Sequence, residues 1–248
     1  MKTIIYAHRG ASKQAPENTL PAFELAYESG ADGIETDIQL TKDGIPVLFH
    51  DENVRRTTNG TGFIQDYTFK ELQRLDAGAW FSNNYINTSI LSLEQFLSWI
   101  SNKNLLLNLE LKTNVIPYKH IEQIVYELLV KYDKLRHTVI SSFNPNSLLK
   151  MHRMDPTLTT AFLTSNKKVD LINYTKQLGA KGIHIKNRLV NESLINKAKQ
   201  ENIYVATYTV NRPSQLMRCY KIRCHAIFTD LPYVAIETRE LFEQNIIQ

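Results

Sequence analysis

The sequence predicts an α/β fold, a (β/α)8 TIM barrel with a small inserted subdomain after its second strand, and three observations lead there. Eight short runs, most of them rich in Ile, Val, Leu or Thr, recur along the chain at four to eight residues each, as buried parallel strands do. Amphipathic stretches separate them, and strand alternating with helix implies parallel βαβ units. Eight such units close a barrel, and the 248 residues lie near the ~250 typical of that fold.

The runs are Thr3–Ala7, Gly33–Leu40, Leu105–Leu111, Thr138–Ser142, Thr159–Leu163, Gly182–Ile185, Tyr204–Thr209 and Ala226–Thr229. Between the first two, Leu20–Ser29 reads as a helix. Asn18 or Thr19 can cap it, Pro21 suits its first turn, and Gly30 can end it. Leu20, Phe23 and Tyr27 then share one face. His120–Tyr132 and Glu192–Gln200 follow the same logic. Two features break the regularity. Gly33–Leu40 is followed almost at once by a further strand, Pro46–His50, and so short a link makes an antiparallel hairpin. Asp43-Gly44 reads as its two-residue turn, which faces Lys42 with Ile45 and sets Asp37 opposite His50. The second feature is the segment Asp51–Ser89, ahead of a helix at Ser92–Ser101. It is far longer than an ordinary βα loop of 2–6 residues. Turn residues abound in it (Asn59-Gly60, Thr61-Gly62), yet Trp80, Phe81 and Tyr85 argue against a disordered linker. It is expected to be an insertion, 51–89, on the active-site face of a single domain spanning 1–248.

Composition excludes more than it identifies. With 43% hydrophobic and 10% aromatic residues the chain is globular. Its net charge of +4 comes without any run of five or six like charges, which argues against nucleic acid as a partner. No segment approaches the ~20 apolar residues of a membrane span, so no stable membrane anchor is expected. His8 interrupts the first apolar stretch too early for a secretory signal. Cys219 and Cys224 lack the second pair that zinc needs and read as reduced thiols. The expected location is cytoplasmic.

Barrel active sites lie at the carboxyl ends of the strands, and unusual residues gather there. The first strand ends in His8-Arg9-Gly10, the second carries Glu35-x-Asp37, the hairpin return ends in His50-Asp51, and the third barrel strand ends in Asn108-x-Glu110-x-Lys112. Strand alternation points Glu35 and Asp37 to one side, and Asn108, Glu110 and Lys112 likewise. Buried carboxylates repel one another unless a cation compensates. Hard oxygen ligands suit Ca²⁺ or Mg²⁺; a salt-bridge cluster closed by Arg9 and Lys112 is the competing reading. Two imidazoles beside such a centre suit phosphodiester cleavage, one taking a proton from the nucleophile and the other giving one to the leaving alkoxide. Arg9 and Lys112 would then hold the phosphoryl oxygens. His184, between Ile183 and Ile185, faces the barrel with no assigned role.

These residues resemble the glycerophosphodiester phosphodiesterase family. The ordered set that carries the resemblance is His8-Arg9-Gly10, Pro16-Glu17-Asn18-Thr19, Gly33-Ile-Glu35-Thr-Asp37, Val47-Leu-Phe-His50-Asp51 and Leu75-Asp-Ala-Gly78-Ala-Trp80-Phe81. Glu110-x-Lys112, Ser142-Phe143, Thr209-Val210-Asn211 and Thr229-Asp230-x-Pro232 complete it. The resemblance implies one divalent cation, Ca²⁺ or Mg²⁺, on Glu35, Asp37 and Glu110. It also implies His8 and His50 as the acid–base pair and Arg9, Lys112, Glu17, Phe81 and Tyr208 as substrate-binding residues. Tyr208 stands where the family often has Trp, at an aromatic position lining the glycerol pocket. Cys224-His225 replaces a frequent Gly, and Leu91 a Pro. The implied reaction splits small-molecule glycerophosphodiesters, such as deacylated phospholipids, into sn-glycerol 3-phosphate and an alcohol. Attack by water and attack by the glycerol 2-hydroxyl both fit. The rival functions are a phospholipase D-like enzyme acting on lysophospholipids and a non-catalytic phosphate-binding barrel.

Overall fold

The computed structural model describes residues 2–247. β1 (Ile4–His8) leads through α1 (Leu20–Glu28) to β2 (Gly33–Leu40), which turns back as β3 (Pro46–Leu48). After α2 (Phe69–Leu72) and α3 (Leu93–Ile100) strand and helix alternate without interruption. The order is β4 (Leu106–Leu111), α4 (Ile121–Lys131), β5 (Thr138–Ser142), α5 (Pro145–Met154), β6 (Thr159–Thr164), α6 (Leu171–Gln177), β7 (Gly182–Lys186), α7 (Glu192–Gln200), β8 (Tyr204–Tyr208), α8 (Pro213–Lys221), β9 (Ala226–Thr229) and α9 (Pro232–Ile247). Every barrel strand lies within one residue of its expected bounds. Around the ring the order is β1, β2, β4, β5, β6, β7, β8, β9, and β1 pairs in parallel with both β2 and β9, which closes the barrel. β3 lies outside the ring, antiparallel to β2.

All eight residues of β2 are buried, because helices cover its outer face and the barrel interior its inner one. Outside the ring, Phe23, Ile34, Ile38, Phe96, Leu97 and Val125 belong to one apolar cluster, and Ile183, Val205, Leu216, Ile227 and Ala235 to another. Each such buried side chain stabilises the fold by roughly 1.5–3 kcal/mol. α3 starts on a capping box, with Ser92 accepting from the Gln95 N–H and the Gln95 side chain reaching back to the Ser92 N–H. No described helix is long and apolar enough to cross a membrane.

Two local expectations are corrected. Thr19 occupies the N-cap position of α1 without a side-chain cap, since its hydroxyl donates to the Pro16 carbonyl at 2.6 Å; Asn18 is turned away into the barrel mouth. The hairpin register is shifted by one. Ile38 faces Leu48 and Leu40 faces Pro46, so Asp37 stands opposite Phe49, whose N–H donates to the Asp37 carbonyl at 3.0 Å. The cause is a three-residue loop in place of the two-residue turn. The Thr41 hydroxyl accepts from the Ile45 N–H at 2.9 Å and donates to Asp43 at 2.6 Å. Gly44 takes the left-handed conformation, φ +77°, which such a loop requires at its last position.

Between β3 and α3 the chain makes short 3₁₀ turns at Val54–Arg56, Ile64–Asp66 and Asn83–Tyr85. Val54, Ile64, Leu72, Ala77 and Ile90 gather there with Val47 and Phe49 in an apolar cluster of their own. The Tyr85 hydroxyl donates to the Gln14 carbonyl at 3.0 Å, fastening this segment to the loop after β1.

Candidate active site

Alternation alone places Glu35 and Asp37 on one face of β2; register then decides what they meet. β2 and β4 pair Asp37 with Glu110 and Glu35 with Asn108. One carboxylate oxygen from each of Glu35, Asp37 and Glu110 lies within 4.8 Å of the other two, and all three residues are buried. Among the described residues, Arg9 and Lys112 are the permanently charged cations that face them. Arg9 Nε is 3.3 Å from Asp37, and Lys112 Nζ is 3.1 Å from Glu110 and 3.8 Å from Asp37. The electrostatics reflect this shortfall. Burial, reinforced by the charge of Asp37, pushes the Glu35 carboxyl up to about 8. Burial also raises Glu110 in spite of Lys112. For Asp37 burial is outweighed by Arg9 and Lys112, which hold its carboxyl well below the usual range. Asn108 donates to Ser141 Oγ at 2.9 Å, while its buried Oδ1 has no hydrogen-bond partner. An all-oxygen donor set, buried and short of positive charge, fits a hard divalent cation.

Each of the two histidines beside this cluster has its own carboxylate. His8, at the end of β1, has Nδ1 2.7 Å from Asp230 Oδ1. Asp230 also accepts from Ser12 Oγ at 3.2 Å and from Asn211 Nδ2 at 2.6 Å. Burial opposes a charged His8, but Glu35 and the hydrogen bond to Asp230 raise its pKa above the ordinary value. His50 has Nδ1 2.6 Å from Asp51 Oδ1. It lies beyond the end of β3, so strand alternation does not aim it. The Gln39 amide does that, donating to the carbonyls of Phe49, His50 and Asp51 at 3.0, 3.1 and 2.6 Å. With Nδ1 engaged by a carboxylate, Nε2 is the nitrogen free for chemistry on both rings.

Backbone geometry supports the same arrangement. Arg9 and Asn18 both sit in the left-handed region, each at φ 58°, a conformation that costs a non-glycine residue of order 1–3 kcal/mol. In return the Arg9 N–H donates to the Glu35 carboxylate at 3.0 Å. The Asn18 amide donates to Asp37 at 3.0 Å and accepts from Thr36 at 2.7 Å. Glu17 accepts from Arg9 Nη1 at 2.8 Å.

Three contributors were not singled out for a role from the sequence. Asp51 and Asp230 belonged to recognised stretches without one. Arg56 carried no signal, since its partners are distant in the chain or belong to an irregular turn. It donates to both oxygens of Glu17 at 2.8 Å and to those of Asp51 at 2.7 and 3.0 Å. A continuous chain of polar contacts therefore runs His50–Asp51–Arg56–Glu17–Arg9–Asp37.

These groups open onto a cleft of about 610 Å³. His8, Arg9, Glu35, His50, Glu110 and Lys112 line one side, and Phe143, Lys186, Arg188 and Tyr208 are among those lining the other. Tyr208 donates to the Thr164 carbonyl at 2.9 Å and meets Phe143 edge-on. Glu17 and Phe81 are not among the lining residues. Glu17 connects to the site through Arg9, and Phe81 packs edge-on against Trp80 and Tyr85. His184 also lines the cleft, and burial holds its pKa down at about 3, so it is neutral.

Residues 8–234 match the glycerophosphoryl diester phosphodiesterase family. The chain is 37% identical over 236 residues to a glycerophosphodiester phosphodiesterase of Caldanaerobacter subterraneus subsp. tengcongensis, covering 95% of this chain and 97% of that one. It is 40% identical over 232 residues to an uncharacterised protein of Bacillus subtilis (strain 168), covering 93% and 96%. A solved phosphodiesterase of Oleispira antarctica, in complex with the product sn-glycerol-3-phosphate, shares the fold with a TM-score of 0.86 at 31% identity, over 96% of this chain and 97% of that one. Matched over nearly its whole length, the chain belongs to the glycerophosphoryl diester phosphodiesterase family.

Proposed function

We propose that the protein hydrolyses glycerophosphodiesters to sn-glycerol 3-phosphate and an alcohol, with His8 and His50 as its proton-transfer pair. One observation carries this reading: two imidazoles, each backed by its own carboxylate at 2.7 and 2.6 Å, line one cleft together with Glu35 and Glu110 of a buried acidic triad. A phosphate-binding barrel needs no such pair. One imidazole takes the proton of the attacking water or glycerol 2-hydroxyl and the other protonates the departing alkoxide; on the second route water then opens the cyclic phosphate to give sn-glycerol 3-phosphate. Arg9 and Lys112 bind the phosphoryl oxygens and offset the charge that develops on them. Glu35, Asp37 and Glu110 would hold a divalent cation, Ca²⁺ or Mg²⁺, which supplies further positive charge to the phosphoryl group when bound. Tyr208 and Phe143 form an aromatic wall for the substrate. Glu17 positions Arg9, and Phe81 belongs to the 51–89 insertion that borders the site within a single 1–248 domain. The free thiols of Cys219 and Cys224 support a reducing, cytoplasmic setting.

The test uses purified protein treated with chelator, then Ca²⁺ or Mg²⁺, and glycerophosphoglycerol as substrate. Turnover should require the added cation and fall about 10²–10⁴-fold in His8→Ala and in His50→Ala. Near-normal turnover by both variants would overturn the assignment.

A further inference from the structure

We propose that the β6–β8 wall of the cleft is a headgroup subsite that selects glycerophosphodiesters whose alcohol carries a further anionic group. The proposal rests on the phosphodiesterase reading above and names the substrate class for that same site.

The ring order places β6, β7 and β8 across the barrel mouth from β1, β2 and β4. The scissile phosphate belongs to the second group of strands, where Arg9, Lys112 and the acidic triad lie. A substituent extending from it across the mouth meets the first. Lys186 closes β7 beside its register partner Tyr208; it is exposed, lines the cleft, and its ammonium forms no ion pair among the described residues. Arg188 follows two residues later, also lines the cleft, and makes one hydrogen bond, to the Ser165 carbonyl at 3.3 Å. Arg218 reaches the same wall from α8. It donates to the carbonyls of Asn187 and Val190 at 2.7 and 3.2 Å, and so braces the loop that carries Arg188.

Among the described residues no carboxylate lines this wall. The cleft is lined by two, Glu35 and Glu110, both on the opposite strands. Three cations thus face the cleft with neutral partners only, more than one phosphodiester charge needs, since Arg9 and Lys112 already meet it. An anionic headgroup gains pairs here, with Arg188 able to make a two-pronged contact to phosphate or carboxylate. A quaternary ammonium headgroup meets like charge, which discriminates against it. Partly exposed pairs of this kind are individually worth only a few-fold in affinity, so two or three together give roughly tenfold.

The experiment compares kcat/KM of the metal-loaded wild type on four substrates: glycerophosphocholine, glycerophosphoglycerol, glycerophosphoserine, and glycerophosphoglycerol bearing a terminal phosphate. The phosphate-bearing substrate should exceed glycerophosphocholine about tenfold at low salt, and the ratio should shrink at 0.5 M NaCl, where screening is strong (~4 Å Debye length). The serine arm separates carboxylate from phosphate recognition. In a K186E/R188E double variant the phosphate-to-choline ratio should fall about tenfold or more, a readout that does not depend on the amount of active protein. Equal or choline-favouring kcat/KM values in the wild type, or an unchanged ratio in the variant, would overturn the subsite. No turnover of any of the four by the wild type would overturn the phosphodiesterase reading itself, and the subsite with it.

Discussion

Asp230→Asn changes one atom, yet the hydrogen-bond network around it dictates a large effect. Asp230 Oδ1 accepts from His8 Nδ1 at 2.7 Å and Oδ2 accepts from Asn211 Nδ2 at 2.6 Å. An asparagine must place its NH₂ at one of these positions. At the second it would meet the NH₂ of Asn211, donor against donor. Asn211 cannot turn over to relieve this, because its own Oδ1 already accepts from the Asp230 N–H at 2.9 Å and from the Thr229 hydroxyl at 3.1 Å. The new amide therefore faces His8 with its NH₂. His8 must then carry its proton on Nε2, where it can no longer accept one. The imidazolium is disfavoured too, since its Nδ1–H would oppose the same NH₂. Losing one positioned acid–base group costs about 10²–10⁴ in kcat, or about 3–5 kcal/mol of activation free energy. Adding Asn211→Asp supplies a carboxylate that accepts from the NH₂ of the substituted side chain, so the amide oxygen turns back towards His8, and kcat should recover at least about tenfold. Steady-state release of sn-glycerol 3-phosphate measures the rates, and ¹⁵N NMR of the imidazole reads the tautomer directly. A D230N enzyme within about threefold of wild type, or a double variant no faster than the single, would refute the reasoning.

Three further outcomes are expected. Arg56→Ala releases both Asp51 and Glu17, so kcat should drop about tenfold with KM little changed; Arg56→Lys should not restore it, because an ammonium cannot reproduce the guanidinium fork, and steady-state kinetics on both variants decide. Gly10→Ala places a Cβ 2.6–2.7 Å from the Ala22 backbone and side chain at a residue with φ +82°, and urea denaturation should show a loss of about 2–4 kcal/mol from strain and overpacking together. The third concerns the metal-free protein, in which Glu35 ionises only at about 8 against an ordinary 4.5. Between those values the folded state binds more protons than the unfolded one, so Tm in EDTA should fall as pH rises from 5 to 8.5. In Glu35→Gln that fall should be distinctly smaller; equal slopes in the two proteins would contradict the charge shortfall described for the triad.

The barrel strands were legible because burial on both faces leaves only apolar runs, and those are visible in one dimension. Glu35 and Asp37 stood out for the same reason: period-two carboxylates amid Ile34, Ile38 and Leu40 are out of place unless something compensates them. Register was less legible. Asp43-Gly44 suggested a two-residue turn, but the Thr41 hydroxyl, able to bond both Asp43 and Ile45, favours three. Asn18 looked like a helix cap because the preference of Asn for caps is local, whereas its actual partners, Thr36 and Asp37, come from the next strand. Arg56 shows the limit most clearly. Two of its four hydrogen bonds reach Glu17, 39 residues earlier, and two reach Asp51, and no periodicity encodes such a meeting.

The bond between His8 and Asp230 spans 222 residues. At the other end of β1, the Ile5 N–H donates to Asp32 at 2.7 Å, and Arg239 of α9 pairs with the same carboxylate. The seam between the first strand and the last is thus fastened at both ends by side chains. During synthesis, Glu35, Asp37 and Glu110 emerge early, and a partly made chain already holds every acidic group of the triad. His8 waits for its orienting carboxylate until residue 230 has been made, 222 residues later. A chain cut short before Asp230 retains the acidic triad and both imidazoles, but one ring lacks the carboxylate that sets its tautomer.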